Sequence, residues 1–579
     1  MVMGRSNGEI ASILEKMAVL CELNGENIFK VRAYEKAAVV VSSFPRPISE
    51  IDEKELISIK GIGKNIASHI KEISERGSFS EFDMLLSKYP AGLLELVGVP
   101  GLGAKRVKIL YEKLNIDSKN KLFEFAKLGK IRQLDGFGEK IEKSIIEWFE
   151  KGANTNKRFL YNYAEGVAIG IIKYLKGFGY KKIEYAGSLR RKKETIGDID
   201  IIAVGKSDIA EKFINYPLVE KVLSKGDRKA SVMLKNNMQC DLRIVDEDSY
   251  GAALCYFTGS KQHNIRLREI ANKLGYTLNE YGLFKNYGSK EKIAGKDEQE
   301  IYKKLGLFYV PPELREDNGE IELALEGRLP VLVELKDIKG EIHCHTSYTD
   351  GTNTIEEIVN FLSKKYSWFF VSDHSSPLNF VHGLDFNEYE KTKKELLNLS
   401  KKYKNVSFER SIELEILKNG ELAYTEEELR KVDLVIGAVH TSIKMDRQQL
   451  TERIIKAIKN PYCDVVAHLS QRLLLERDEI NVDYDRIFDI AVKNNTVFEI
   501  NGQPQRLDLS DINAKRVKSL GLKVVLSSDA HSIDQFDYME YAVNNARRAG
   551  LEKNDILNCL DFKDFKEFIK NNRIMRGGK

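Results

Sequence analysis

The chain has 579 residues, enough for about three to five domains at ~100–200 residues per domain. Hydrophobic residues make up 42% and charged residues 31%, and no apolar run is long enough to suggest a membrane-spanning helix. The first residues lack the apolar core of a signal peptide, and the six scattered cysteines form no C-x-x-C pair. These features predict a cytoplasmic protein without a disulfide framework.

The formal net charge of +4 is distributed unevenly. Residues 1–315 contain 53 basic and 42 acidic side chains, a net charge of +11, whereas residues 316–335 carry −5 and residues 336–579 carry −2. The basic front half fits an anionic partner such as nucleic acid, and it fits a solvated lysine-rich surface equally well.

Residues 1–155 are predicted to be helical, and one kind of turn recurs in them. Each turn has the pattern apolar–Gly–apolar–Gly and precedes a lysine-bearing amphipathic helix. The three glycine pairs are Gly61 and Gly63, Gly101 and Gly103, and Gly136 and Gly138. Glycine permits a tight turn with positive φ, and the free N–H groups of the next helix suit a phosphate oxygen. The three turns resemble helix-hairpin-helix motifs, which imply contacts with the DNA backbone.

After Tyr161 the pattern changes to mixed α/β. In GDIDII, Asp198 and Asp200 lie two residues apart in an apparent strand, so both carboxylates share one face. Two carboxylates so near to each other repel unless a cation lies between them. Mg²⁺ prefers carboxylate and phosphate oxygens as ligands. Asp241 in CDLRI could add a third carboxylate from a neighbouring strand. A D-x-D pair by itself is equally typical of a surface strand edge.

The segment GSLRR precedes these acids and offers groups that bind a triphosphate. They are the backbone at Gly187, the hydroxyl of Ser188 and the guanidinium of Arg191. Gly–Ser followed by D-x-D resembles the nucleotidyltransferase motif. Together with YFTGS at 256–260 and GYTLNEYGLF at 275–284, the order and spacing resemble the family X DNA polymerases, including DNA polymerase beta, over roughly residues 1–315.

That resemblance implies roles for individual residues. Asp198 and Asp200 would bind Mg²⁺ or Mn²⁺, and Asp241 would help to deprotonate the primer 3′-hydroxyl. The nucleotide-binding positions would be Gly187, Ser188, Arg191, Gly197 and Arg158 for the triphosphate, Tyr256, Phe257 and Gly259 for the sugar, and Asn264 for the base. Arg268 would lie on the template side, and Lys30 would bind a 5′-phosphate. His69 stands where the family has its Schiff-base lysine, which makes deoxyribose-phosphate lyase activity doubtful.

From Lys336 onward, short apolar strands alternate with helical stretches, a pattern that predicts a (β/α) barrel. Seven of the nine histidines follow residue 340, and six of them stand near apparent strand ends, where barrels build active sites. His343 and His345 form an H-x-H pair that would place both imidazoles on one side of a strand. A lone histidine is usually structural, but six with acids at intervals indicate a metal cluster.

The series resembles the PHP family (polymerase and histidinol phosphatase), whose fold is an irregular (β/α)₇ barrel with up to three divalent ions. By resemblance, the first ion would bind His343, His345, Glu413 and Asp529. The second would share Glu413 and add His440 and His468, and the third would bind Asp350, His374 and His531. Zn²⁺, Mn²⁺ and Fe all suit such mixed ligands. Arg472 and Arg506 could hold a neighbouring phosphate, or they could be solvated arginines.

The favoured interpretation is a multidomain α/β protein: an all-α helix-hairpin-helix region, an α+β nucleotidyltransferase palm with a thumb, and an irregular (β/α)₇ PHP barrel. The predicted domains are 1–85 and 86–155 (helical), 156–247 (palm), 248–315 (thumb), 316–335 (acidic linker) and 336–579 (PHP). The resemblance implies a bacterial or archaeal family X polymerase that fills gaps in primed DNA with dNTPs during repair, and we expect the protein to be a monomer. The PHP domain would be a 3′–5′ exonuclease. Whether it also has AP endonuclease activity is left open by the sequence.

Three other interpretations remain open. The PHP barrel could be a catalytically inert scaffold that metals stabilise, the whole chain could be a DNA-binding module with inactive sites, or the barrel could act on a small phosphate ester. The complete carboxylate triad argues against the second, and the hairpin motifs disfavour the third.

Overall fold

The computed structural model describes residues 7–42, 44, 48–59, 61–90, 92–97, 99, 101–150, 158–285, 291–378 and 381–578. The chain divides into two compact units, residues 1–156 and 157–579. The predicted domain boundary between residues 155 and 156 lies outside the described residues. No helix in the described ranges is long and apolar enough to cross a membrane.

The N-terminal unit is helical, as its sequence pattern predicts. Its helices are α1 (Asn7–Leu23), α2 (Ile28–Ser42), α3 (Glu53–Ser58), α4 (Lys64–Arg76), α5 (Ser80–Lys88), α6 (Gly92–Leu96), α7 (Ala104–Leu114), α8 (Lys119–Lys127) and α9 (Glu139–Glu150). Apolar residues three or four apart put one face of each amphipathic helix into a shared core. In α4 these are Ile66, Ile70 and Ile73, all buried.

The second unit begins with a small α/β subdomain. Its elements are β1 (Phe159–Leu160), α10 (Tyr161–Lys176), β2 (Ile183–Tyr185), α11 (Gly187–Arg190), β3 (Thr195–Ile196), β4 (Asp198–Val204), α12 (Asp208–Ile214), β5 (Val219–Lys225), β6 (Lys229–Leu234) and β7 (Gln239–Val245). Five strands form a sheet in the order β2-β4-β7-β6-β5. The central pair, β4 and β7, is parallel, and the other neighbours are antiparallel.

A mixed subdomain follows. It contains α13 (Tyr250–Thr258), α14 (Lys261–Lys273), β8 (Tyr276–Asn279), β9 (Gly282–Lys285), β10 (Lys292–Ala294), α15 (Glu298–Lys304) and α16 (Glu320–Glu326). Helix α16 lies within the acidic segment 316–335, and its Ile321 and Ala324 join the apolar core of this subdomain. The buried Arg315 donates to Glu298 at 2.7 Å, so this charge is paired inside the core.

The C-terminal region is the β/α barrel that the alternating pattern predicts. Its strands are β11 (Gly340–Glu341), β12 (Trp368–Val371), β13 (Ser407–Glu415), β14 (Leu434–Ala438), β15 (Val465–Val466), β16 (Val497–Asn501) and β17 (Val524–Ser527). Its helices are α17 (Ile355–Leu362), α18 (Phe386–Ser400), α19 (Glu426–Leu429), α20 (Arg447–Ile458), α21 (Tyr484–Lys493), α22 (Asp511–Ser519), α23 (Met539–Arg548) and α24 (Phe562–Met575). All seven strands are parallel and follow one another in chain order.

The barrel is nearly closed and is apolar on both sides of its wall. The segments that follow the first and last strands meet in a bridge between Cys344 and Ala530. Alternate strand residues such as Phe370 and Ile436 pack inside, while their neighbours pack against the outer helices. This explains why the strands read as continuous apolar runs. Consequently the polar strand ends are the place where a site can form.

Gly340 tests the packing at the start of the barrel, because a Cβ there would lie 2.3 Å from the buried Trp368 ring. We expect Gly340→Ala to cost about 1–3 kcal/mol of stability or more through overpacking, measured by calorimetry of the full chain. Gly166 in α10 is the matched control, since nothing lies within 4 Å of its Cβ. Gly166→Ala should be neutral or stabilising by up to ~1 kcal/mol. Equal effects of the two changes would contradict this packing.

Candidate functional site

The D-x-D pair lies at the start of β4, in the centre of the five-stranded sheet. Strands β4 and β7 run parallel with Asp200 directly opposite Asp241, while Ile199 points into the apolar core. Strand register thus brings the third carboxylate, which is 41 residues further along the chain, beside the pair. Lys229 lies 2.9 Å from one Asp241 oxygen, and Gln239 donates to the other at 3.0 Å.

The electrostatics of these three acids favour a bound cation. Burial, with the charges of Asp198 and Asp241, raises the pKa of Asp200 to about 7. Burial and Asp241 also raise the pKa of Asp198. Burial opposes the ionised form of Asp241 as well. The hydrogen bonds from Lys229 and Gln239 to Asp241 outweigh burial and lower the pKa of Asp241. Divalent ions between the carboxylates would remove the repulsion, so this donor set fits Mg²⁺ or Mn²⁺.

The predicted triphosphate-binding residues surround the short helix α11. Gly187 has φ +63°, and a Cβ there would lie 2.7 Å from an Asp200 oxygen, so both its conformation and its position require glycine. Ser188 is the next residue of α11. Arg158 donates to the Thr195 hydroxyl at 2.8 Å, and its guanidinium lies close to Gly197. The Arg191 side chain reaches Glu316 at 3.1 Å and the Thr258 carbonyl.

The predicted sugar and base contacts gather at the end of α13 and the start of α14. Tyr256, Asn264 and Arg268 line a small pocket together with Asn279. Asn264 donates to the Tyr256 carbonyl at 2.6 Å, and Arg268 donates to the Asn264 carbonyl at 3.3 Å.

Two further predicted residues follow Tyr256 at the end of α13. The Arg243 guanidinium carbon lies over the Phe257 ring, 4.7 Å from the centroid of the ring. Gly259 ends α13 with φ +71°. A Cβ at Gly259 would lie 3.2 Å from the Arg191 guanidinium, so this glycine lets the arginine approach.

The three glycine turns of the N-terminal unit share one geometry. The first glycine of each pair, Gly61, Gly101 or Gly136, has φ between +81° and +105°. The second ones, Gly63, Gly103 and Gly138, each accept an N–H from the first turn of the following helix. A Cβ at any of these three would meet nothing within 4 Å. Space therefore remains open where the helix presents its N–H groups.

Lys30 and His69 lie in the same unit and are both engaged by neighbouring side chains. Lys30 contacts Glu81 at 2.6 Å. The His69 ring stacks on Phe79 at 4.3 Å, and its Nδ1 lies 2.9 Å from the Tyr34 hydroxyl. Burial lowers the pKa of His69 below its usual value.

The second constellation lies at the carboxyl ends of the barrel strands. Three groups of side chains bring ligand atoms within 4.8 Å of one another: His343, His345 and Asp529; His374, Glu413 and His440; and His345, Asp350, His374 and His531. His345 and His374 each belong to two groups, a sharing that the sequence alone did not suggest. Cys344, which lies between His343 and His345 in the sequence, is buried in the apolar core.

Glu413, at the end of β13, is the centre of this cluster. One of its oxygens lies 2.9 Å from His468 and 3.1 Å from His440, and the other lies 2.7 Å from His374. Burial disfavours the charged carboxylate, but the histidines, His440 first, outweigh burial and lower the pKa of Glu413 well below its usual range. His468 and His440 thus both contact the same Glu413 oxygen.

The residues fit divalent ions. His345 Nδ1 is buried and has no hydrogen-bond partner among the described residues, its nearest acid being Asp350 at 3.5 Å. Burial and the neighbouring His531 and His374 lower the pKa of His345 to about 4, so this imidazole is a neutral donor. A neutral imidazole beside carboxylates is the form that binds a metal.

Sequence reasoning missed the residues that orient these ligands. Glu499 on β16 lies 2.6 Å from His343 Nδ1 and accepts the His468 backbone N–H at 2.9 Å. Glu415 lies 3.0 Å from His440 Nδ1 and is held by Arg453 at 2.9 Å. Carboxylates behind metal-binding histidines set the tautomer and ring orientation. The only signal in the sequence was the presence of these two acids within apolar segments, Glu415 in IELEIL and Glu499 in VFEIN.

The two phosphate candidates differ in their surroundings. Arg472 is almost fully buried and bonds Glu194 at 2.7 Å together with two backbone carbonyls. Its donors therefore hold the barrel to the α/β subdomain. Arg506 is partly exposed, and its Nη1 has no hydrogen-bond partner among the described residues.

Glu413 provides a test of metal binding. We expect Glu413→Gln to lose at least one ion per chain, because two of the proposed ions would share this carboxylate; elemental analysis after dialysis measures it. His382 is the control, since it is 62% exposed and bonds Glu388 away from the cluster. An unchanged metal content in Glu413→Gln would contradict the site, and His382→Ala should match the wild type.

Comparisons with known proteins agree with this architecture. A model of the DNA polymerase beta thumb matches residues 253–316. A helix-hairpin-helix domain matches residues 5–79, and a SAM-like helix-hairpin-helix tandem matches residues 93–151. These matches cover most of the mixed subdomain and all three glycine turns.

Whole-protein relatives extend the agreement over the barrel. The DNA polymerase/3′–5′ exonuclease PolX of Bacillus subtilis (strain 168) is 34% identical over 570 residues, 97% of this chain and 99% of that protein. DNA polymerase lambda of Rattus norvegicus is 24% identical over 52% of this chain and 56% of its own length. A probable phosphatase of Thermoanaerobacter sp. (strain X514) is 28% identical over 31% of this chain and 75% of its own length. The chain therefore belongs to the family X DNA polymerases and carries a C-terminal PHP domain.

Proposed function

We propose that the chain is a DNA polymerase that also removes nucleotides from 3′ ends. The observation that carries this proposal is the presence of both sites in one chain, related over nearly its whole length to a DNA polymerase/3′–5′ exonuclease. The α/β subdomain would perform nucleotidyl transfer, and the barrel would perform phosphodiester hydrolysis.

In the polymerase site, Asp198, Asp200 and Asp241 would hold Mg²⁺ or Mn²⁺. Asp241 would also accept the proton of the primer 3′-hydroxyl. Ser188, Arg191 and the backbone at Gly187 would hold the triphosphate, with Arg158 and Gly197 beside them. Tyr256, Phe257 and Gly259 would enclose the sugar, a position from which they exclude a 2′-hydroxyl, while Asn264 and Arg268 would face the base pair.

In the barrel site, His343, His345, Asp350, His374, Glu413, His440, His468, Asp529 and His531 would hold up to three ions of Zn²⁺, Mn²⁺ or Fe. Such ions, when bound, activate a water and neutralise the charge of a phosphodiester. Glu499 and Glu415 would keep the imidazoles oriented. Arg506, whose Nη1 has no hydrogen-bond partner among the described residues, is suited to bind a phosphate of the DNA end.

Gapped or primed DNA and dNTPs are the proposed substrates, and a role in DNA repair, including base excision repair, follows from them. The three glycine turns and Lys30 would hold the DNA backbone without reading its sequence. AP endonuclease activity is a further proposal for the barrel, whereas lyase activity is not proposed, because His69 cannot form the imine. We also propose a cytoplasmic monomer with the six domains predicted from the sequence.

Two single variants separate the activities. Asp198→Asn should reduce primer extension by more than about 100-fold and leave 3′–5′ degradation unchanged, because several kcal/mol of metal-dependent stabilisation are lost only in the polymerase site. Asp529→Asn should do the reverse. Both are measured on labelled primer–template with Mn²⁺, with and without dNTPs.

Asp227→Asn in the exposed β5–β6 turn removes the same charge away from both sites and is the control. Degradation by Asp529→Asn at the wild-type rate would sink the exonuclease proposal and favour an inert barrel. Full extension by Asp198→Asn would sink the polymerase proposal.

The glycine turns allow DNA binding to be tested without unfolding. Asp is a favourable helix N-cap, so Gly63→Asp, Gly103→Asp and Gly138→Asp should preserve stability. Each adds a negative charge where a phosphate would bind. We expect the Kd for gapped DNA to rise about tenfold per change and the salt dependence to weaken by about one phosphate contact. Gly166→Asp, on an exposed face of α10, is the charge control; equal Kd values across all variants would contradict the proposal.

A further inference from the structure

The loop that carries Arg191 is held by the C-terminal barrel. It spans residues 191–194, between α11 and β3. Arg548, the last residue of α23 in the barrel, donates to the Arg191 carbonyl at 2.7 Å. Arg472, also in the barrel, bonds Glu194 at the other end of the loop. Both arginine side chains are nearly buried, although Glu194, the partner of Arg472, is 35% exposed.

One carboxylate connects the barrel arginine to the Arg191 side chain. A single oxygen of Glu316 lies 3.1 Å from Arg191 Nε, 3.3 Å from Lys193 and 3.2 Å from Arg548. Glu316 is 17% exposed, and burial would favour its neutral form, but Arg548, Lys193 and Arg191 outweigh burial and lower its pKa. Glu316 therefore remains charged and attracts each of the three cations.

Arg548 also has an acid of its own. Its second guanidinium nitrogen donates to Asp511, the first residue of α22, at 2.6 Å. The guanidinium thus contacts Asp511, Glu316 and the Arg191 carbonyl at the same time, an arrangement that suits the rigid, planar donors of arginine better than the compact ammonium of lysine. Two members of the network, Arg548 and Asp511, belong to barrel helices, whereas Arg191 and Glu316 belong to the polymerase part.

We propose that Arg548 is a positioning residue for nucleotide binding. It compensates the charge of Glu316 and fixes the Arg191 backbone. The Arg191 side chain can then bind the incoming triphosphate. This inference rests on the proposed polymerase function. Glu316 and the triphosphate compete for Arg191. Because Arg548 and Lys193 compensate the charge of Glu316, Arg191 can break its ion pair with Glu316 at a low cost in free energy. Without Arg548, the buried carboxylate would hold Arg191 more tightly.

The test is single-nucleotide incorporation of dTTP opposite a template dA in gapped DNA, with 3′–5′ degradation measured separately. We expect Arg548→Ala to raise KM for dTTP about tenfold with kcat and degradation within about twofold of the wild type, because ground-state binding of the triphosphate is what is lost. Combining it with Glu316→Gln should return KM towards the wild-type value, since the competing charge is gone. Arg548→Lys, which keeps the charge but not the fork, should raise KM about threefold.

Arg547 offers a matched control on the same helix. It bonds Glu313 at 2.8 Å and the Val333 carbonyl at 2.9 Å, and no bond to the 191–194 loop is found for it among the described residues. Arg547→Ala should therefore leave KM for dTTP within about twofold of the wild type. An equal rise in KM for Arg547→Ala and Arg548→Ala would overturn the inference, and so would a wild-type KM in Arg548→Ala or no recovery on adding Glu316→Gln.

Two outcomes separate this inference from the function on which it rests. If the wild type extends no primer, the polymerase proposal fails before Arg548 is considered. If the wild type extends primers and the KM of Arg548→Ala is unchanged, only the inference fails. Should Arg548→Ala also lose degradation, as a misfolded barrel would, Arg548→Lys carries the same test, and a wild-type KM in that variant overturns the inference.

Discussion

Compensation of buried charge is the constraint on which both sites of this molecule depend. Three carboxylates meet across β4 and β7, and burial, together with the charges of Asp198 and Asp241, raises the pKa of Asp200 to about 7. In the barrel, Glu413 is buried among five imidazoles, those of His343, His345, His374, His440 and His468. Neither arrangement would be stable as a set of isolated charges in a low-dielectric interior, so each is built to share its charge with cations. The same rule governs Glu316, which three cationic side chains compensate.

Parallel strands make these arrangements possible. Because the carboxyl ends of the barrel strands meet at one edge, residues from different strands reach a common point without long loops. In the five-stranded sheet, the one parallel pair plays the same part by placing Asp200 opposite Asp241. The scaffolds are apolar and closely packed, which lets them hold polar groups in fixed positions. The outer carboxylates, such as Glu499 behind His343, then fix the direction of each ligand.

The polymerase subdomains and the barrel share buried ion pairs in one compact unit. Arg472, Arg547 and Arg548 all extend from the barrel to acids of the polymerase part. Such pairs are specific rather than strongly stabilising, because desolvation offsets much of their attraction. The contact between Arg548 and the loop that carries Arg191 offers a physical route by which the barrel supports nucleotide binding. The two catalytic parts are then coupled and do not act as independent modules.

The sequence by itself determined everything that depends on neighbours in the chain. The glycine turns, the shared face of Asp198 and Asp200, the H-x-H pair and the barrel pattern all follow from residue types a few positions apart, because helix and strand periods are local. The family resemblance added the ligand set, and the fold class was confirmed. Only the tertiary structure decided that His345 and His374 are shared between groups, that Arg472 is buried in an interface, and that Arg548 meets Glu316 across 232 residues. Such contacts depend on strand register and on the packing of whole subdomains, which no local pattern encodes.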